Sequence, residues 1–277
     1  MADIAPEIYA KIKESFDRKY AQAQLFGGPL SATLEKINNG TATFRDADLY
    51  AVQVGGMMAD AMKENLDLED LPGGRLYRNI AERTIGDGLK DTYGIMSNVS
   101  RAIQEEINEA NKIGLKAAQP KLETDRVDSI VERAVQAKTQ ESLNATIEAA
   151  VPNFARQVVD DTQKANARMH SRAGLNVKVE REYDGVGLHD GEDSCDWCLA
   201  REGVFTYEKA LDVGAFERHE GCGCTITYTS AKGEVTRGTG AYLGGREGEG
   251  RTTTGWKWSK IEDPAAHQKA ILEKRRR

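Results

Sequence analysis

Every cysteine of the chain falls within one stretch of thirty residues. Cys195-Asp-Trp-Cys198 is followed, after twenty residues, by His219-Glu-Gly-Cys222-Gly-Cys224. Five soft donors on two close-set clusters suit a tetrahedral zinc site. Each cluster supplies two ligands from one tight turn, and the segment between them closes a loop on the ion. Thiolates bind as anions and imidazole as a neutral ligand, near ~2.3 and ~2.0 Å. Five candidates compete for four places. Cys195 and Cys198 form one knuckle and His219 with Cys222 the other, while Cys224 is either a replacement ligand or a buried thiol. The competing readings are two disulfides or free thiols.

Two catalytic readings use the same residues. A zinc deaminase needs H-x-E ahead of P-C-x-x-C; here C-x-x-C comes first and His219-Glu220 belongs to the second cluster. A catalytic zinc also needs an open coordination position, which five clustered donors would close. A cysteine nucleophile paired with histidine would require one thiol to stand apart from the rest, and none does.

The rest of the chain reads as helix. Residues 6–25 carry Ile8, Ile12, Phe16 and Tyr20 at i, i+4 spacing, with Pro6 in the first turn. Ser31 is placed to cap a short helix ending at Gly40. Thr43 and Asp46 introduce a helix with Leu49, Val52, Met57 and Met62 on its apolar face. After the loop at Leu71-Pro-Gly-Gly74, helix resumes near Leu76 and weakens at Gly86-Asp-Gly88. It then shows clear spacing through Tyr93, Met96, Ile103, Ile107 and Ala110 until Pro120. A helix from Thr124 to Ala150 is expected to end or kink at Pro152, and another spans Phe154 to Ala173.

Beyond Gly174 the period changes to two. Val177, Val179, Arg181 and Tyr183 alternate with charged residues, and Cys224 to Thr229 is a second strand. Lys232-Gly233 turns that strand into Glu234–Arg237 as a hairpin. Residues 238–255 hold seven glycines and read as a linker, and 264–274 as a short helix. The polar run from Tyr183 to Asp193, with His189 and Asp190, reads as the loop entering the first knuckle, or as a place for a hard cation or substrate.

Charge is uneven. The chain carries −6 overall, so bulk attraction to nucleic acid is excluded. From Ile226 to Arg277 eleven Lys/Arg face six Asp/Glu, a local +5 against −11 elsewhere. Trp256-Lys-Trp258 and Lys274–Arg277 could meet DNA phosphates and bases, or be a solvated terminus. No apolar run approaches the ~18 residues of a membrane span, and the N-terminus lacks a signal-peptide pattern. Folding in a reducing cytosol, where cysteines prefer metal to disulfides, is therefore expected.

The run from Tyr183 to Tyr228 resembles the MuF-type minor head proteins of tailed phages, the phage head morphogenesis family. The resemblance lies in the lead-in Asp190-Gly-Glu-Asp193, the Cys195-Asp-Trp-Cys198 knuckle, Gly203, and the ending His219-Glu-Gly-Cys222-Gly-Cys224-Thr-Ile that opens a strand. Many relatives have Pro-Pro before the histidine and Arg between the last cysteines; this chain has Glu217-Arg218 and Gly223. The motif covers about a sixth of the chain. It implies a low-copy virion protein made in the host cytoplasm. Such a protein sits in the phage head interior or at the portal vertex, contacts portal and capsid proteins, and acts in head morphogenesis or genome delivery.

The expected fold class is mainly α with a small α+β zinc-stapled module and an elongated helical N-terminal part. The expected division is 1–174 helical, 175–240 zinc-binding, and 241–277 linker and basic tail, the tail touching portal or packaged DNA. The expected cofactor is structural Zn2+ held within Cys195, Cys198, His219, Cys222 and Cys224, and no catalytic residues are expected. The rival functions are a metal-dependent capsid maturation protease or nuclease, and a zinc-containing nucleic-acid-binding regulator.

Overall fold

The computed structural model describes residues 3–25, 28–183, 195–219 and 221–231. His189, Asp190, Glu220, the hairpin at 232–237, the glycine-rich linker and the basic tail lie outside the described residues. The described chain is mainly helical, with one small antiparallel sheet.

Helix α1 (Ala5–Leu25) buries Ile12, Phe16 and Tyr20 at the expected spacing, and Tyr20 meets Tyr50 hydroxyl to hydroxyl at 2.5 Å. In α2 (Pro29–Asn38) the cap is Gly28, with Pro29 in the first turn. Ser31 is not the cap, because it lies inside the helix and its hydroxyl donates to the Gly28 carbonyl at 3.0 Å. Proline has no N–H, so this start needs one donor fewer satisfied.

Helix α3 (Phe44–Asn65) opens on the Thr43–Asp46 capping box read from the sequence. Its buried face differs from the expected one. Leu49 and Val52 are 54% and 42% exposed, while Ala47, Ala51, Val54 and Met58 are buried beside Tyr50. The buried stripe is rich in small residues because α3 lies against the long helix α7 (Gln140–Arg172). A Cβ on Gly55 would stand 2.5 Å from the Cα of Pro152, backbone against backbone. Glycine is what lets these two axes approach.

The expected boundary at Pro152 is displaced. Helix α6 (Thr124–Val135) ends early, and α7 starts at a second capping box, Thr139 with Ser142, then runs unbroken through Pro152. The four residues between α6 and α7 supply the break that the proline was expected to make. The weak point expected at Gly86-Asp-Gly88 lies earlier: a π turn at Glu82–Gly86 joins α4 (Arg78–Ala81) to α5 (Asp87–Ala110), which takes in Asp87 and Gly88.

Strand β1 (Asn176–Glu182) is central, with β2 (Gly203–Thr206) and β3 (Thr225–Ala231) antiparallel on either side. Val179 faces Phe205 on one neighbour and Tyr228 on the other. β2 was not foreseen, nor were the short helices α8 (Asp196–Leu199) and α9 (Tyr207–Asp212). The sheet shares the helices' core, which is continuous from Phe16 and Tyr50 to Val179, Ile226 and Tyr228. Polar side chains dock β3 on the helices. Gln163 donates to the Ile226 carbonyl at 2.8 Å, Tyr228 donates to Gln104 at 2.8 Å, and His170 Nδ1 meets the Ser230 hydroxyl at 3.0 Å.

Two predictions follow from this packing. Gly55→Ala should destabilise the protein by about 1–3 kcal/mol, read from urea unfolding midpoints, because the new methyl meets rigid backbone. His170 is held neutral by burial, its pKa pushed down to about 4. The unfolded chain takes up a proton below its ordinary 6.5 that the folded chain refuses. The contribution of His170 is therefore fully present above pH 6.5 and lost as pH falls towards 4, by up to about 3 kcal/mol. His170→Gln should remove that loss, read as the difference between native and variant urea midpoints across the window.

Candidate metal centre

The two halves of the cysteine cluster meet at one end of the sheet, where Glu182 of β1 pairs with Thr225 of β3. Cys195 caps α8 and Cys198 lies within it; the Cys195 N–H donates to the Tyr183 hydroxyl at the end of β1, at 3.2 Å. The second half is a tight turn closed by the Cys222 N–H on the His219 carbonyl at 3.2 Å. Gly221 sits at φ 73° inside it, a conformation glycine adopts freely. The turn ends as Thr225 enters β3.

All five expected ligands converge. Their donor atoms form two sets of three, Cys195–Cys198–His219 and Cys198–Cys222–Cys224, each within 4.8 Å and sharing Cys198. His219 Nε2 lies 3.3 Å from Cys195 Sγ and 3.0 Å from Cys198 Sγ. Cys198 Sγ is 3.8 Å from Cys222 Sγ. That separation is far longer than the ~2.05 Å of a disulfide, and all four thiols are free. It equals one edge of a tetrahedron of sulfurs at ~2.3 Å from a metal, about 3.8 Å. The donor set therefore fits a metal ion. Cys198, Cys222 and Cys224 are buried, and Cys195 and His219 partly so.

The environment is graded. Cys222 is pushed down to about 4, first by the hydrogen bond from the Cys224 thiol and then by the Arg218 and Arg181 guanidinium groups. Burial pushes Cys198 up to about 11. Cys224 rises because its hydrogen bond goes to Cys222 and because it is buried. One sulfur, that of Cys222, is thus favoured as an anion. Trp197 stands edge-on to His219 with ring centres 5.0 Å apart, and Arg201 stacks on the indole at 3.8 Å.

A buried charge network that sequence reading missed fixes the second knuckle. Arg156 on α7 grips Asp48 of α3 with two hydrogen bonds, at 2.8 and 2.7 Å. The same guanidinium donates to the carbonyls of Cys222, Gly223 and Cys224, the last two at 2.9 and 3.0 Å. Arg218, with its side chain fully buried, pairs with Asp160 of α7 and reaches Asp48 at 3.1 Å and the Cys224 carbonyl at 2.8 Å. Burial raises the Asp160 carboxyl to about 7 even with Arg218 against it. The signal was a charge on each buried helix stripe: Asp48 beside Ala47 and Tyr50, and Arg156 with Asp160 among Ala155, Val158 and Val159.

A cleft of about 610 Å³ lies beside the centre, bordered by Arg126, Arg133, Phe154, Lys164, Trp197 and Phe216 among others. None of the five donors lines it. Removing one member of the charge network leaves its partners buried and unpaired. Asp48→Ala should therefore cost roughly 3–5 kcal/mol in urea unfolding, well above an ordinary surface substitution.

Comparison with protein-family models, with curated proteins and with solved structures returns no match.

Proposed function

We propose that this chain is a non-enzymatic minor head protein of a tailed phage. In this reading it acts beside portal and capsid proteins in head morphogenesis or genome delivery, and its cysteine–histidine cluster holds one structural Zn2+. The observation that carries the proposal is the convergence of C-x-x-C and H-x-x-C-x-C donors, in the order that resembles the MuF-type family, as two sets of three that share the buried Cys198.

Cys195, Cys198, His219 and Cys222 are the favoured ligands, with Cys224 as the fifth donor. Bound zinc would supply a crosslink between α8 and the turn before β3, two segments with few apolar residues of their own to pack. The residues around it hold the frame: Tyr183 fixes the Cys195 backbone, and Arg156 and Arg218 fix the 222–224 carbonyls. The burial of three of the thiols favours a closed structural site over an open catalytic one, which would need a place for water or substrate. The absence of all five donors from the lining of the adjacent cleft supports the same side.

Among the described residues no helix is long and apolar enough to cross a membrane. The net charge of −6 favours protein partners for most of the surface. Contact with packaged DNA is assigned to the basic tail, Lys274–Arg277.

The test has two arms. Protein purified under reducing conditions should carry about one zinc per chain by metal analysis, and intact virions and procapsids should contain the protein in few copies by quantitative mass spectrometry. Absence from both particles would remove the head-protein reading. Metal-dependent cleavage of capsid protein or DNA, abolished by Cys198→Ser, would replace it with the enzyme.

A further inference from the structure

Arg181 is a buried cation that the charge network leaves out. It is 0% exposed and sits on the core face of β1, where Val177 and Val179 set an apolar alternation. One guanidinium nitrogen donates to the carbonyls of Ala215 and Glu217 at 2.9 and 2.7 Å. The other is aimed at sulfur, 3.3 Å from Cys222 Sγ and 3.9 Å from Cys198 Sγ. The Nε has no partner. Among the described residues no carboxylate forms an ion pair with Arg181, whereas Arg156 and Arg218 are matched by Asp48 and Asp160. A guanidinium is always charged, and an uncompensated buried charge is strongly disfavoured.

We propose that Arg181 is the charge partner and positioning residue of the metal centre, and that the centre therefore carries net −1: one divalent cation, three cysteine thiolates and neutral His219. This rests on the metal reading of the cluster. Three thiolates against a divalent ion leave a single negative charge for Arg181 to cancel. Four thiolates would leave a second negative charge with no cation to meet it. Two thiolates would leave Arg181 alone. The count takes Asp160 as the ionised partner of Arg218 and Asp48 as that of Arg156.

The contacts of Arg181 give two of the members. Cys198 and Cys222 face Arg181 directly, and Cys195 joins Cys198 and His219 in the other set of three. Cys224 is the donor left outside the set. N–H groups pointed at a bound sulfur orient it and tune its hold on the ion, as outer partners of metal ligands generally do.

The experiment uses the full chain loaded with Co2+, whose thiolate charge-transfer band counts bound sulfurs, and with Zn2+ in competition with a chelator. Arg181→Met should keep one metal per chain but bind it about 10- to 100-fold more weakly, and Arg181→Lys should recover most of that loss. A structural role through the Ala215 and Glu217 carbonyls would also weaken binding, so a cycle with Cys195→His separates the two. That substitution exchanges a thiolate for a neutral donor at the least buried cysteine, and it should cost about ten-fold less affinity in the Arg181→Met background than in the native one. Independent, multiplying effects would overturn the charge pairing. Where Arg181→Met does not fold, Cys224→Ser decides: an unchanged Co2+ band supports three thiolates and a diminished one overturns them. Failure of the native protein to bind either metal would instead remove the metal reading itself.

Discussion

Four buried charges hold this structure's two halves in register. Asp48 comes from α3, Arg156 and Asp160 from α7, and Arg218 from the loop that precedes the second knuckle. Taking them out of water is expensive, and ion pairing alone recovers little of the cost. What distinguishes the network is where its spare donors go. Both arginines also bind the carbonyls of Cys222 and Cys224, and Arg156 that of Gly223 as well. The carbonyls of residues 222–224 are thereby satisfied from the side. A hydrophobic replacement of similar volume could recover the packing but would orphan those carbonyls. The network's contribution is thus one of position: it decides where three of the five soft donors stand relative to the helices.

The protein around the centre extends this logic. Arg181 supports the same sulfurs from the sheet side and also holds the 215–217 loop through backbone carbonyls. Tyr183 supports the first knuckle from the end of the same strand. The centre is therefore gripped from a helix, a strand and a loop, while a small sulfur cluster of its own replaces the apolar packing that the rest of the chain enjoys.

Much of this was legible beforehand. The set of candidate donors that converge came from spacing alone, because a C-x-x-C or H-x-x-C turn is a local object whose geometry follows from sequence. The Thr43–Asp46 start of α3 was legible for the same reason. The misreadings share a cause in tertiary contact. Leu49 and Val52 looked like core, but the close approach of α7 at Gly55 selects the small-residue side of α3. Pro152 looked like a boundary, yet packing carries α7 through it, and the inconspicuous Thr139–Ser142 pair marks the true start. Strand β2 has only four residues and finds its identity by pairing with β1, so nothing inside Gly203–Thr206 announces it. The charged residues at core positions stand in the sequence without any local sign of their role, since their partners lie far away along the chain.

That distance has a consequence for how the molecule is born. The Arg218–Asp48 contact spans 170 residues and the Arg156–Asp48 contact 108. Closing such long loops is entropically late. On the ribosome, α1 to α3 emerge and can begin to condense with Asp48 still hydrated, and the pocket that accepts its two arginines is complete only after residue 218 has left the exit tunnel. The donors His219, Cys222 and Cys224 follow within six residues of that point. Translation itself thus orders the events, with helix condensation first, charge closure second and the gathering of the soft donors last.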